Sequence, residues 1–281
     1  MPDRRLPADR ARRAIWRAGQ EIDPLPESAL VFAPHQDDET LACGGTICRL
    51  VGVGATVRVV FMADGSTSHA HLINGQVLSQ MRRAEAREAC AVLGLDPDAD
   101  VIDLSYPEGQ LHTYEPDIVR RAADMLARWQ PQAVFIPYHH DVHPDHIITN
   151  RAVTAALHLW AQVATQPVTV YEYPIWYWNH WPWMPPMRRP RRDWPYYVLR
   201  SLRGLAGWRA SRIFRHYVTV GPVLDCKREA LARHRSQMVR HQDNPHWPIL
   251  ADVGAGRWLA CFFTDREIFH RNEIRHAPDK D

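Results

Sequence analysis

No stretch of about 18 apolar residues occurs anywhere in the chain, so the sequence offers no candidate for a membrane-spanning helix. The N-terminus, charged and Arg-rich from Arg4 to Arg13, also lacks an apolar run of signal-peptide length, and cytoplasmic residence is the expectation. Cysteine is scarce: the five residues Cys43, Cys48, Cys90, Cys226 and Cys261 are scattered and form no C-x-x-C pair. That excludes a disulfide framework and leaves reduced, buried thiols as the expectation. An excess of charge of one sign is missing too. With 34 Lys and Arg against 32 Asp and Glu, the net charge is +2, too little for a global attraction to nucleic acid or to an acidic partner. Internal repeats and low-complexity segments are absent.

What is present is alternation. Apolar runs at about 29–33, 56–63, 101–105, 133–137 and 168–173 predict strands, and helical patterns at about 39–52, 77–93, 116–129 and 145–161 lie between them. The order predicts right-handed βαβ crossovers and a Rossmann-like α/β fold, with a mainly parallel sheet flanked by helices. Val77, Met81, Ala84, Glu88 and Val92 keep near-helical spacing, with Gly94 as C-cap. The 281 residues read as one domain: a core at about 27–173, a Trp/Arg-rich insertion or lid at about 174–215, and a strand and helix at about 216–270, with the strand at 216–220 and the helix at 223–240.

Ligands of such sheets bind beyond the carboxyl ends of the strands. There the first apolar run opens into Pro34-His35-Gln36-Asp37-Asp38-Glu39, and the fourth into Asp141-Val142-His143-Pro144-Asp145-His146. His35 and Asp38, three apart, can face one ion while Asp37 stands beside it as a base; catalytic zinc is commonly held by three His or carboxylate ligands with a position left for water. Pro144 suits a first helical turn, so His143 and His146 bracket a helix start, and spacing does not choose which of them is a ligand. The other can steady an oxyanion or protonate a leaving amine, with Asp145 or Asp141 fixing its tautomer and raising its pKa. His139 and His140 read as loop residues. Asp64-Gly65-Ser66 and Tyr106-Pro107-Glu108-Gly109 end two further strands on the same edge.

The two clusters together resemble the LmbE-like, or PIG-L, family of zinc-dependent N-acetylglucosaminyl deacetylases, as do Arg82-x-x-Glu85, Ala89, Leu93-Gly94, Lys227 and Ser236-Gln237. The resemblance implies one zinc ion per chain on His35, Asp38 and His146. It further implies Asp37 as general base, His143 as acid and oxyanion stabiliser, Asp145 as partner of His143, and Arg82 as a substrate contact. Gln36 departs from the family, which usually has proline there. The implied reaction removes acetyl from an N-acetylated amino sugar, releasing acetate and a free amine. Another metal-dependent amidase, a phosphoesterase, or a non-catalytic sugar or lipid-headgroup binding module are the alternatives.

Between Pro174 and Arg215 six tryptophans sit among nine arginines, with Asp193 the only acid. Three readings fit: a cap packed on the core or on a second subunit of a homo-oligomer, a surface that stacks on sugar rings and holds an anionic substrate group, or a peripheral membrane contact. Both active readings imply a nucleotide-linked or lipid-linked amino sugar. No nucleic-acid-binding fold accompanies the charge.

Overall fold

A computed structural model describes residues 7–162, 164, 166–184, 194–203, 208–241 and 244–274. Asp193 lies outside them. Strands β1 (Gln20–Glu21), β2 (Ser28–Ala33), β3 (Thr56–Ala63), β4 (Val101–Tyr106), β5 (Ala133–Pro137), β6 (Val168–Tyr173), β7 (His216–Thr219) and β8 (Arg266–Ile274) form one sheet in the order β1-β7-β8-β6-β5-β2-β3-β4. Every pair is parallel except those that β8 makes with β6 and β7. Alternate residues divide the core. Val31, Val59, Phe61 and Phe135 face one side with α1 (Pro7–Ala18), α2 (Asp38–Gly52), α3 (Gly75–Val92) and α8 (Leu224–Arg233). Leu30, Phe32, Val60 and Val134 face the other with α4 (Glu115–Trp129) and α5 (Pro144–Trp160). Burial on both faces explains why these strands read as continuous apolar runs.

From β2 the chain passes to β3 and β4 on one side, then crosses to β5 and β6 on the other. The order reverses between β2 and β5, and there the loops leave the sheet in opposite directions and open a crevice. This is why two motifs about a hundred residues apart meet.

Local chemistry sets the helix starts. Asn74 caps α3 by accepting from the N–H groups of Gln76 and Val77, and Gly94, at φ +93°, receives the chain beyond its end. Pro144 opens α5 with His143 as its cap. The helix expected at 223–240 is in fact two, α8 and α9 (Arg235–Met238), broken at His234 with φ −75° and ψ 60°. The ring of His234 is buried against Glu39, and that pairing overrides the helical pattern. Strand β8 was not legible as a separate element. The thiols also depart from expectation: Cys48 on α2 and Cys226 on α8 are paired as a disulfide, while Cys43, Cys90 and Cys261 are free.

A buried ion pair locks α2. The Lys227 ammonium donates to Glu267 Oε1 (2.6 Å) and to the carbonyls of Leu41 and Phe262, and Glu267 accepts from the N–H groups of Gly45 and Thr46. All three ammonium protons are thereby used. The Trp/Arg segment contributes α6 (Trp194–Arg203) and α7 (Trp208–Ile213), and its Tyr177, Trp178 and Trp183 are buried. Among the described residues no helix is long and apolar enough to cross a membrane.

Candidate active site

At the end of β2 the backbone turns sharply. Asp37 has φ 144°, a region that L-residues rarely occupy and that recurs where a site over-determines the chain. Glu39 holds it there: Glu39 Oε2 accepts from the Asp37 N–H (3.0 Å), and its Oε1 accepts from Thr40 and pairs with His234 Nε2 at 3.0 Å. Gln36 is tied into the turn by hydrogen bonds of its side chain and its backbone. Its side-chain amide donates to the Ala63 carbonyl at 2.7 Å, and its main-chain carbonyl accepts from Arg82 Nη2 at 2.9 Å.

The turn aims His35 and Asp38 at His146 from α5. Asp38 Oδ2 lies 3.3 Å from His35 Nδ1 and 3.2 Å from His146 Nε2. Ligand atoms on one tetrahedral ion with bonds of about 2.0–2.1 Å stand about 3.3–3.4 Å apart, so each nitrogen stands from Asp38 at the separation of two ligands sharing a zinc-sized ion. The far nitrogens support this: His35 Nε2 meets Asp145 Oδ2 and His146 Nδ1 meets Asp141 Oδ2, each at 3.2 Å. Such carboxylate partners turn the near nitrogens toward one point, and His146 Nε2 is buried there without a hydrogen bond. The ring nitrogens of His35, His143 and His146 also lie within 4.8 Å of one another, so among the described residues one His cluster could hold a metal.

The field favours positive charge. Burial opposes protonation of His35, but Asp145 and Asp38 lift its pKa to about 9; His146, likewise buried, is raised to about 10, chiefly by Asp38 and Asp141. Burial would raise Asp38, yet His146 and His35 hold it well below the carboxylate range. Burial lifts Asp37 to about 7 against the opposing charge of Arg82.

Two expectations change. Asp145 does not serve His143: its carboxylate accepts from the Gly109 N–H (2.8 Å) and meets His35, while Asp141 is spent on His146, Val142, Ile175 and Trp176. Without a carboxylate partner, His143 is pushed down to about 4 by burial and by the charges of His35 and His146. Its Nδ1 accepts from the Asp145 N–H (3.3 Å), which leaves the proton of the neutral ring on Nε2. Arg82 reaches into the cleft, as a substrate contact requires: it is 3 % exposed and lies 3.7 Å from Asp37 Oδ2 and 4.0 Å from Glu108 Oε2, with no ion pair to Glu85 on its own helix. Glu85 instead anchors Ser236.

The cleft has a volume of about 300 Å³, with His35, Asp37, Asp38, Arg82, Glu108 and His143 on its polar side. Trp176 and Trp258, stacked at 4.7 Å, and Leu250 form an apolar side. Sequence reasoning missed Trp258 and Leu250, which arrive from the far end of the chain. Asp64 caps its own turn by accepting from Ser66 and Glu108, and His139 pairs with Glu172 away from the cluster.

Residues 30–157 match the family described as "PIG-L: GlcNAc-PI de-N-acetylase". A probable N-acetyl-alpha-D-glucosaminyl L-malate deacetylase 2 from Bacillus cereus is 28% identical over 47% of this chain, and the match spans 62% of that relative. The N,N'-diacetylchitobiose deacetylase from Pyrococcus horikoshii shares the fold with a TM-score of 0.58 at 20% identity, covering 88% of this chain and 84% of that one. So does a protein of other chemistry, the 4-carboxy-2-hydroxymuconate hydratase from Pseudomonas putida, with a TM-score of 0.51 at 17% identity over 91% of this chain and 99% of that one. Fold alone therefore does not select the reaction.

Proposed function

We propose, from the premise that residues 30–157 are a PIG-L/LmbE segment, that the protein is a zinc-dependent hydrolase removing the N-acetyl group from an N-acetylated amino sugar. The observation that carries this reading is the convergence of His35, Asp38 and His146 around one point, with Asp37 beside it. These three side chains would hold one zinc ion per chain. When bound, zinc supplies Lewis acidity toward the amide carbonyl and a water that deprotonates near neutral pH.

Asp37 takes the proton of the attacking water and returns it to the departing nitrogen, and the burial of its carboxyl favours the protonated form that it holds between the two steps. The Nε2–H of neutral His143 donates to the carbonyl oxygen as negative charge develops there. Asp145 and Asp141 act through the rings of His35 and His146, fixing their orientation. Arg82 steadies Asp37 and meets a polar group of the substrate. Trp176 and Trp258 give a sugar ring an apolar face to lie on.

Metal content and turnover of two variants test the assignment together. Asp37→Asn is expected to keep one zinc per chain and lose at least about 100-fold in acetate release, the lower end of what a positioned acid–base group contributes. His146→Ala is expected to lose the metal. Near-normal turnover in Asp37→Asn would remove Asp37 as the base.

A further inference from the structure

Among the described residues eleven large apolar side chains are exposed, and six of them fall between residues 181 and 208: Trp181, Trp194, Val198, Leu199, Leu202 and Trp208. Helix α6 explains the concentration. At about 100° per residue, Trp194, Val198, Leu202 and Leu199 share an arc of about 140°. Tyr197 faces the other way, buried, with its hydroxyl donating to the Met184 carbonyl at 2.6 Å. A surface helix ordinarily turns its apolar stripe to the core; α6 turns its stripe to solvent.

Charge surrounds this face. Arg203 flanks the arc, Arg209 shares a cavity wall with it, and Arg212 lies one turn from exposed Trp208 on α7; all three arginines are exposed, and among the described residues none is in an ion pair. Beneath the two helices a cavity of about 610 Å³ is lined by Arg200, Arg203 and Arg209. Asp141, the acid that reaches its wall, has its oxygens committed to His146 and to backbone N–H groups. The positive potential is local, since the whole chain carries only +2.

We propose that this face docks peripherally on an anionic phospholipid surface. The indoles and Leu202 enter the interfacial layer, and the exposed arginines meet lipid phosphates. Indoles favour that layer because one edge is apolar and the other carries a donor, and basic residues add attraction to anionic leaflets. A second copy of the chain fits less well. A two-fold contact through this face would bring Arg203, at the edge of the arc, toward its own counterpart.

The test sediments the full chain with vesicles of phosphatidylcholine alone and of phosphatidylcholine with about one third phosphatidylglycerol. Binding is expected to the anionic vesicles, to weaken with added salt, and to fall at least tenfold in Leu202→Glu; Arg212→Ala is expected to lose about fivefold. Acetate release from a soluble substrate should be unchanged in Leu202→Glu, so loss of docking reads apart from loss of chemistry. No co-sedimentation with either vesicle overturns the proposal. Equal binding to both vesicles, or a vesicle-free dimer that Leu202→Glu dissolves, overturns it as well.

Discussion

The side chains at the end of β2 divide labour in a way that only part of the local sequence shows. That His35, Asp37 and Asp38 would line one cleft was legible, because their types and spacing at a strand end suit a metal and a base. The partner of each histidine was not, because spacing says nothing about which ring nitrogen a distant carboxylate reaches. Asp145 therefore moves from His143 to His35, and Glu39 gains a role from His234, 195 positions away. Gly65 offers a test of how the turn is held. It sits at φ +71°, and a Cβ there would come within 2.5 Å of Gln36 Oε1. Gly65→Ala is expected to cost about 1–3 kcal/mol in urea unfolding. Adding Gln36→Ala should return the part due to the clash and leave the part due to backbone conformation; strict additivity of the two changes would show that they do not touch.

Elements were predicted where one periodicity governs, and misjudged where a single buried contact intervenes. The pattern of α3 and its glycine stop are both in place. The helix expected at 223–240 breaks because His234 is worth more against Glu39 than a continued helical turn, and β8 hides in a charged stretch whose Glu267 is needed inside. Lys227→Met leaves Glu267 buried without its cation and is expected to lower stability by about 3–5 kcal/mol in urea unfolding; adding Glu267→Gln should lose less than the sum. The segment before α6 has its own titration. Burial and the charge of Arg200 push His180 down to about 4 from the ordinary 6.5. The unfolded chain then binds more protons between those values, so the stability that neutral His180 supports is present above pH 6.5 and declines as the pH falls toward 4. Stability of His180→Gln should fall less steeply than that of the parent over this range; parallel curves would show that His180 contributes nothing to it.

At the scale of the whole molecule, the alternation of strands and helices was enough to foresee the parallel sheet and the edge that carries the site. The switch between β2 and β5 then brings the two His/Asp loops together, a consequence of strand order that no local pattern encodes. The walls of the cleft were less legible, since Trp258 and Leu250 arrive through a long, irregular return of the chain. A hydratase on the same fold makes the reaction itself the decisive observable. The most direct measurement is acetate release from N-acetylglucosamine-based substrates by purified protein, before chelation, after chelation, and after zinc is restored. Stoichiometric acetate and free amine, abolished by the chelator and recovered with about one zinc per chain, is the expected result; acetate release indifferent to chelation, or none from any acetylamino sugar, would contradict it.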